Sequence, residues 1–197
     1  MDEEALAASA RKGDARAFNQ LVLLYQGMAY NVAYRILGDA DAAADATQDA
    51  FLSAFKAIRQ FRGGSFKAWV LRIVTNSCYD QLRAKQRRPS ESLDDLDVEE
   101  DHIRSLRDPA EQPDEHVERL ELDEMLESGI QRLPAEQRIV LILSDVQGLN
   151  YQEIAEATGM SLGTVKSRLS RARARLRDLL LEQRELLPTR FRLRVGD

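Results

Sequence analysis

YQEIAEATGMSLGTVKSRLSRARARLR, residues Tyr151 to Arg177, is the stretch whose reading decides the fold. Ile154 and Ala155 mark the apolar side of a first helix, and Asn150 with Glu153 three residues on has the pattern of a capping pair at its start. Gly159 supplies a turn. Ser161 stands where its hydroxyl can accept from the free N–H groups of a second helix. That helix carries Val165, Leu169, Ala172, Leu176 and Leu180 in one apolar stripe at helical period. The pattern predicts a helix-turn-helix.

At about 100° per residue, the face opposite the stripe holds Gly163, Ser167, Ser170 and Ala174, all small. Lys166, Arg173 and Arg177 line one margin; Thr164, Arg168, Arg171 and Arg175 line the other. A small-residue face between cationic margins suits a DNA major groove, because the helix can approach base edges while its flanks reach phosphates. The competing reading is an amphipathic surface helix with solvated arginines. Against it stand the Ala155, Gly159, Val165 spacing and the absence of any acid from Ser161 to Arg177, where a solvated helix normally mixes signs.

Working outward, 197 residues suffice for one large domain or two small ones. The 44% hydrophobic content supports real cores, and the 6% aromatic content with few Gly and Pro favours helices over a sandwich or barrel. A net charge of −5 argues superficially against nucleic acid, but charge is segregated along the chain. Pro89 to Glu118 holds twelve acids against Arg104 and Arg107, whereas Ser161 to Arg177 carries a charge of +6. Cys78 is the only cysteine, which excludes a disulfide framework and reads as a buried, inert thiol. His102 and His116 lack a second ligand at metal spacing and read as solvated. No signal peptide, lipidation motif or long apolar run is present, so a cytoplasmic setting without direct membrane contact is expected.

Ahead of the acidic stretch the chain reads as four helices. Asp2 to Lys12 is short and ends at Gly13; the next begins at Asp14, bears Phe18, Leu21, Val22, Tyr25, Met28, Ala29, Val32 and Ile36 on one face, and closes at Gly38. A third spans Asp41 to Phe61, with Ala44, Phe51, Phe55 and Ile58 on its apolar side and a polar ridge of Asp45, Gln48, Asp49 and Ser53. The loop Arg62 to Ser65 precedes a fourth helix, Phe66 to Arg88, whose cations Arg83, Lys85, Arg87 and Arg88 cluster at its end. Trp69 on this helix fits a core aromatic and a base-stacking platform equally well. The basic end, beside a glycine loop and a tryptophan, favours phosphate contact over a merely solvated terminus. Pro89 to about His116 is an acidic linker too poor in apolar residues for a core. It is expected to be mobile, and its sign suits a basic channel or the basic helices of its own chain. Leu120, Leu122, Met125, Leu126, Ile130 and Leu133 mark the next helix; Pro134 opens another, in which the apolar run Ile139 to Leu143 reads as buried helix. After the basic helix, Pro188 should end the helix and leave a loose tail.

Three motifs in order give the chain its resemblance. DATQDAFLSAFKAIRQFRG (Asp45 to Gly63), WVLRIVTNSCYDQLR (Trp69 to Arg83) and LPAEQRIVLILSDVQGLNYQEIAEATGMSLGTVKSRLSRARARLR (Leu133 to Arg177) together resemble the extracytoplasmic-function, group 4, sigma factors of bacterial RNA polymerase, of the RpoE type. The resemblance implies an all-α protein of two small helical domains joined by a flexible acidic linker: residues 1–90 as sigma region 2, 91–117 as linker, 118–197 as sigma region 4 with the tail. It implies a non-enzymatic factor, without cofactor, that directs core RNA polymerase to promoters. Asp45, Gln48 and Asp49 would dock on the β′ clamp helices, with the β flap as a further polymerase contact. Asn76 and the loop of Phe61, Arg62, Gly63, Gly64 and Ser65 would hold a flipped base of the −10 element, beside Trp69, Arg83, Arg87 and Arg88. Ser161, Thr164, Lys166, Ser167, Arg168, Ser170, Arg171 and Arg175 would face the −35 element. Some relatives carry a bulky aromatic where Ser170 stands, so base preference there does not transfer. An anti-sigma factor is a further implied partner. The alternatives are an autonomous dimeric helix-turn-helix regulator and an enzyme; no nucleophile and base pair, phosphate loop or metal set supports the latter.

Overall fold

The computed structural model describes residues 2–87 and 113–182. It is all-α, with no strand among the described residues. The first module comprises α1 (Glu3–Arg11), α2 (Ala15–Leu37), α3 (Ala40–Ala57) with a 3₁₀ turn over Ile58–Gln60, and α4 (Phe66–Arg87). The second comprises α5 (Pro113–Gln131), α6 (Ala135–Leu141) continued by a π turn over Ile142–Val146, α7 (Tyr151–Thr158) and α8 (Leu162–Glu182). The linker residues 88–112, which include His102, and the tail 183–197 lie outside the described residues, as do the side chains of Arg87 and His116.

Local chemistry sets most helix starts. Asp2, Asp14 and Asp39 each accept backbone N–H bonds from the turn they precede, satisfying donors that have no intrahelical partner. Helix α5 begins at Pro113, one turn inside the stretch assigned to the linker. The reason is elementary: proline at a first helical position forfeits no hydrogen bond.

In the first module, Leu21, Ala29, Val32, Ala33 and Ile36 of α2 are fully buried against α3 and α4. Helix α3 meets them with Ala43, Ala46, Ala50 and Ala54, a run of small side chains that lets the backbones approach closely. Two apolar assignments on α3 are thereby corrected. Ala44 faces outward and Phe55 is 50% exposed, because the alanine row rather than the phenylalanines sets the helix's buried azimuth. The apolar run Ile139 to Leu143 is buried helix, as its lack of a partner strand requires. Burying each such Ile, Leu or Val contributes roughly 1.5–3 kcal/mol.

The two modules are packed together. Helix α4 lies against α7, and the C-terminal end of α2 meets α5 and α6. Arg138 on α6 donates to the Ile36 carbonyl at 2.8 Å, and Lys67 on α4 donates to the Gln147 carbonyl at 2.6 Å. The sequence reading of two bodies joined only by a tether leaves this contact out, since nothing local in either module encodes the other's surface.

Candidate nucleic-acid interface

Helix α8 is held in place from below and open above. Asn150 and Glu153 form a reciprocal capping box on α7, Gly159 ends that helix in the left-handed region at φ 69°, and Ser161 Oγ accepts from the Thr164 N–H at 3.1 Å to start α8. Val165, Leu169 and Ala172 are buried to 1% exposure or less. Further along, the buried row passes through Leu179, leaving Leu176 and Leu180 half-buried. Gly163, Ser170 and Ala174 stand exposed on the opposite side. Ser167 is half-buried and donates to the Thr164 carbonyl, while the Thr164 and Ser161 hydroxyls share a 2.8 Å hydrogen bond.

The six cations of α8 fall into two groups. Lys166, Arg171 and Arg175 are exposed and have no acidic partner among the described residues; Lys166 sits 6.0 Å from the Tyr151 ring centroid. The other three are engaged. Arg173 grips Asp145 of the π turn through two bonds of 2.8 and 2.6 Å, and its guanidinium holds that carboxyl below the usual carboxylate range. Arg177 pairs with its neighbour Asp178. Arg168, expected on the outward margin, turns in: it pairs with Glu136 of α6, lies 2.9 Å from Met160 Sδ and is only 24% exposed. A helical wheel fixes azimuth, but α6 and the π turn bring acids to places the wheel does not contain.

The loop ahead of α4 makes the second candidate surface. Gly63 and Gly64 adopt φ 92° and 86°, and Ser65 Oγ accepts from the Ala68 N–H to start the helix. Trp69 is half-buried and leans on Phe61 and Phe66, at centroid distances of 5.3 and 5.4 Å. Phe61 is 5% exposed, so it is the floor under Trp69 rather than an outward contact; its place at the end of the helix in sequence hides that. A cleft of about 1000 Å³ opens above them, with Arg59, Arg62, Arg72 and Trp69 on one wall and Glu153 and Glu156 of α7 on the other. Asn76 is exposed two turns further on the same side of α4, in a separate hollow that also holds Tyr79, Arg83 and Arg168. Arg83 makes an exposed 3.7 Å pair with Asp80 and lies 5.9 Å from the Tyr79 ring. Arg87 and Arg88 add no described side chain. Arg59 and Arg72 were missed in the sequence, although Arg72 follows Trp69 at the helical interval of three.

Helix α3 carries a third surface. Asp45, Gln48 and Asp49 are all exposed. Beside them runs a groove of about 780 Å³ between α2 and α3, where Gln48 meets Val22, Phe51, Leu52 and Phe55. Leu52 and Phe55 are half exposed, and Phe55 packs edge-on to Phe18 at 5.1 Å. Leu52, four residues after Gln48, was the available signal for this apolar neighbour of the polar ridge. Cys78, by contrast, is fully buried, and burial pushes its thiol up to about 12, out of reach of thiolate chemistry. Among the described residues no group of three metal-ligating side chains occurs, and no helix is long and apolar enough to cross a membrane.

Comparison with known proteins agrees with this geometry. Residues 21–88 match the family described as Sigma-70 region 2, and residues 123–176 match Sigma-70, region 4. The chain is 38% identical over 176 residues to the RNA polymerase sigma-H factor of Pseudomonas aeruginosa, covering 87% of this chain and 90% of the relative. It is 33% identical over 175 residues to the ECF RNA polymerase sigma-E factor of Escherichia coli, covering 88% and 91%. Among solved structures it is similar to CnrH in complex with the cytosolic domain of CnrY, with TM-score 0.63, 30% identity and coverage of 92% and 99%. It is also similar to the sigma factor RpoE in complex with the anti-sigma factor NepR from Bartonella quintana, with TM-score 0.64, 29% identity and coverage of 85% and 98%. The two region matches in order, and the relatives spanned nearly end to end, leave one assignment: this chain belongs to the extracytoplasmic-function sigma factors, which direct transcription initiation.

Proposed function

We propose that the protein binds core RNA polymerase through α3 and reads two promoter elements with two separate helices. Residues 2–87 act as the module that engages polymerase and the −10 element, and residues from Pro113 to Glu182 as the −35 module. The carrying observation is the outward face of α8, where Lys166, Arg171 and Arg175 stand around Gly163, Ser170 and Ala174 with no acidic partner among the described residues. Such a face enters the major groove, with Ser167 and Ser170 near base edges and the free cations on phosphates or guanine edges. Arg168 acts from behind, by fixing α8 to α6.

On α4, Trp69, Asn76 and the loop Arg62 to Ser65 receive bases that leave the stack, aromatic stacking supplying sequence-tolerant affinity and Asn76 a choice of partner. Phe61 supports Trp69 there. Asp45, Gln48 and Asp49 meet the β′ clamp helices, and the adjoining groove at Leu52 and Phe55 adds apolar area to that contact. An anti-sigma factor is a natural further partner, since two structures of similar architecture are complexes with such proteins or, for CnrH, with the cytosolic domain of CnrY. No chemistry on substrate is required of any residue. Matches to both region 2 and region 4 do not favour the autonomous dimeric regulator, which needs only the latter.

Run-off transcription with core polymerase over a promoter library tests the reading. Initiation from a subset sharing two spaced motifs is expected; no transcripts from any template would overturn it.

A further inference from the structure

Three contacts tie the end of α2 to the second module. Arg35 Nε lies 2.9 Å from Glu127 Oε2, with the two side chains 33% and 15% exposed. Gln131 Nε2 donates to the Arg35 carbonyl at 3.0 Å, and Arg138 Nη1 donates both to the Ile36 carbonyl and to Gln131 Oε1 at 2.8 Å. The last carbonyls of a helix have no partner within it and carry the negative end of its dipole. Here the other module supplies their donors. The fit is close: a Cβ on Gly38, the residue that ends α2, would fall 2.7 Å from Gln131 Oε1.

With these contacts made, α7 lies along α4. Glu156 and Glu153, whose carboxylate is held by the Asn150 N–H, then line the same cleft as Arg59, Arg62 and Arg72, so acidic charge faces any phosphate entering it. The outward face of α8 is left open by the same arrangement.

We infer that Arg35, Glu127, Gln131 and Arg138 form an intramolecular latch, through which the free chain withholds the α4 face from single-stranded DNA while still presenting α8 to duplex. The inference rests on the proposed role of α4 and adds its regulation. A partner that competes for the end of α2, or separates the modules, releases the first surface without altering the second.

Trp69 is the only tryptophan and lines the cleft, so the full-length protein reports its own opening. Glu127→Arg sets two cations against each other at the latch. It should roughly double acrylamide quenching of Trp69 and tighten binding of a fluorescein-labelled, random-sequence single-stranded oligonucleotide about fivefold, as expected when a mostly closed population is released. Binding of a random-sequence duplex should change less than about twofold, because α8 is already open. Arg35→Glu combined with Glu127→Arg should restore both readouts, which separates loss of the pair from damage to α5. Unchanged quenching and unchanged single-strand binding in Glu127→Arg would overturn the latch. Increased quenching without tighter single-strand binding would overturn the withholding by another route, locating the failure in the role given to α4.

Discussion

Helices α4 and α8 are both cationic and both carry a face suited to nucleic acid, yet the fold treats them oppositely. The face of α8 is open: its small residues are exposed, and among the described residues its three outward cations have no acidic partner, Lys166 lying only over the Tyr151 ring of α7. The face of α4 looks onto α7, with Trp69 half-buried and two glutamates across a cleft. The difference teaches that charge alone does not make a helix available. Availability depends on what neighbouring elements bring first: Glu136 and Asp145 pair with two of α8's five arginines, and α7 places Glu153 and Glu156 on the cleft that α4 lines.

The sharpest way to break the comparison is to strip the open face. Lys166→Ala with Arg171→Ala should cost about 2–4 kcal/mol of duplex binding, roughly 30- to 1000-fold, while leaving polymerase association intact. Anisotropy on a −35 duplex and a polymerase pull-down measure the two; loss of association instead would sink the division of labour. On the covered side, Trp69→Ala should remove about 1–3 kcal/mol from promoter opening, read by permanganate reactivity of the holoenzyme complex, with duplex binding unmoved. Trp69→Phe, which keeps the packing on Phe61 and Phe66, distinguishes lost stacking on bases from a loosened core.

A smaller effect separates braced from free cations within α8. Arg168→Met should lower stability to urea by about 1 kcal/mol with less than threefold loss of duplex affinity, whereas Arg171→Met should do the reverse. Equal behaviour of the two would erase the distinction. Smallest is the Asp145 contact. Its carboxyl is held below the ordinary range by Arg173, so the stabilisation is fully present above the unfolded value near pH 4 and is lost as pH falls through the lower folded value. Because both side chains are over a third exposed or nearly so, Asp145→Asn should cost only about 0.5 kcal/mol at pH 7 and flatten the acid limb of the stability curve. An unchanged acid limb would show that Arg173 braces nothing.

Much of the fold was legible because its signals are local. Asp14, Asn150 with Glu153, and Ser161 announce helix starts through hydrogen bonds spanning two or three residues, and Gly159 marks a left-handed turn that other residues resist. The apolar run at Ile139 was readable as helix from its surroundings. The candidate site was legible as a list but not as an arrangement. Phe61 and Phe55 exchanged expected environments: the alanine row of α3 turns Phe55 outward, while Phe66 and Trp69 of α4 cover Phe61. Arg168 and Arg173 were counted with the free margin because their acids lie 32 and 28 residues away.

By itself, then, the chain determined the eight helices of the described residues, several of their caps and the partition of charge that leaves α8 cationic, all of which follow from side chains within one or two turns of one another. Only the tertiary structure decided which cations are spent on acids, which aromatic is floor and which is platform, and that α4 lies under α7. Those outcomes depend on contacts between separate elements, from Arg173 with Asp145 to Arg138 with Ile36, and no period or motif in a linear sequence carries them.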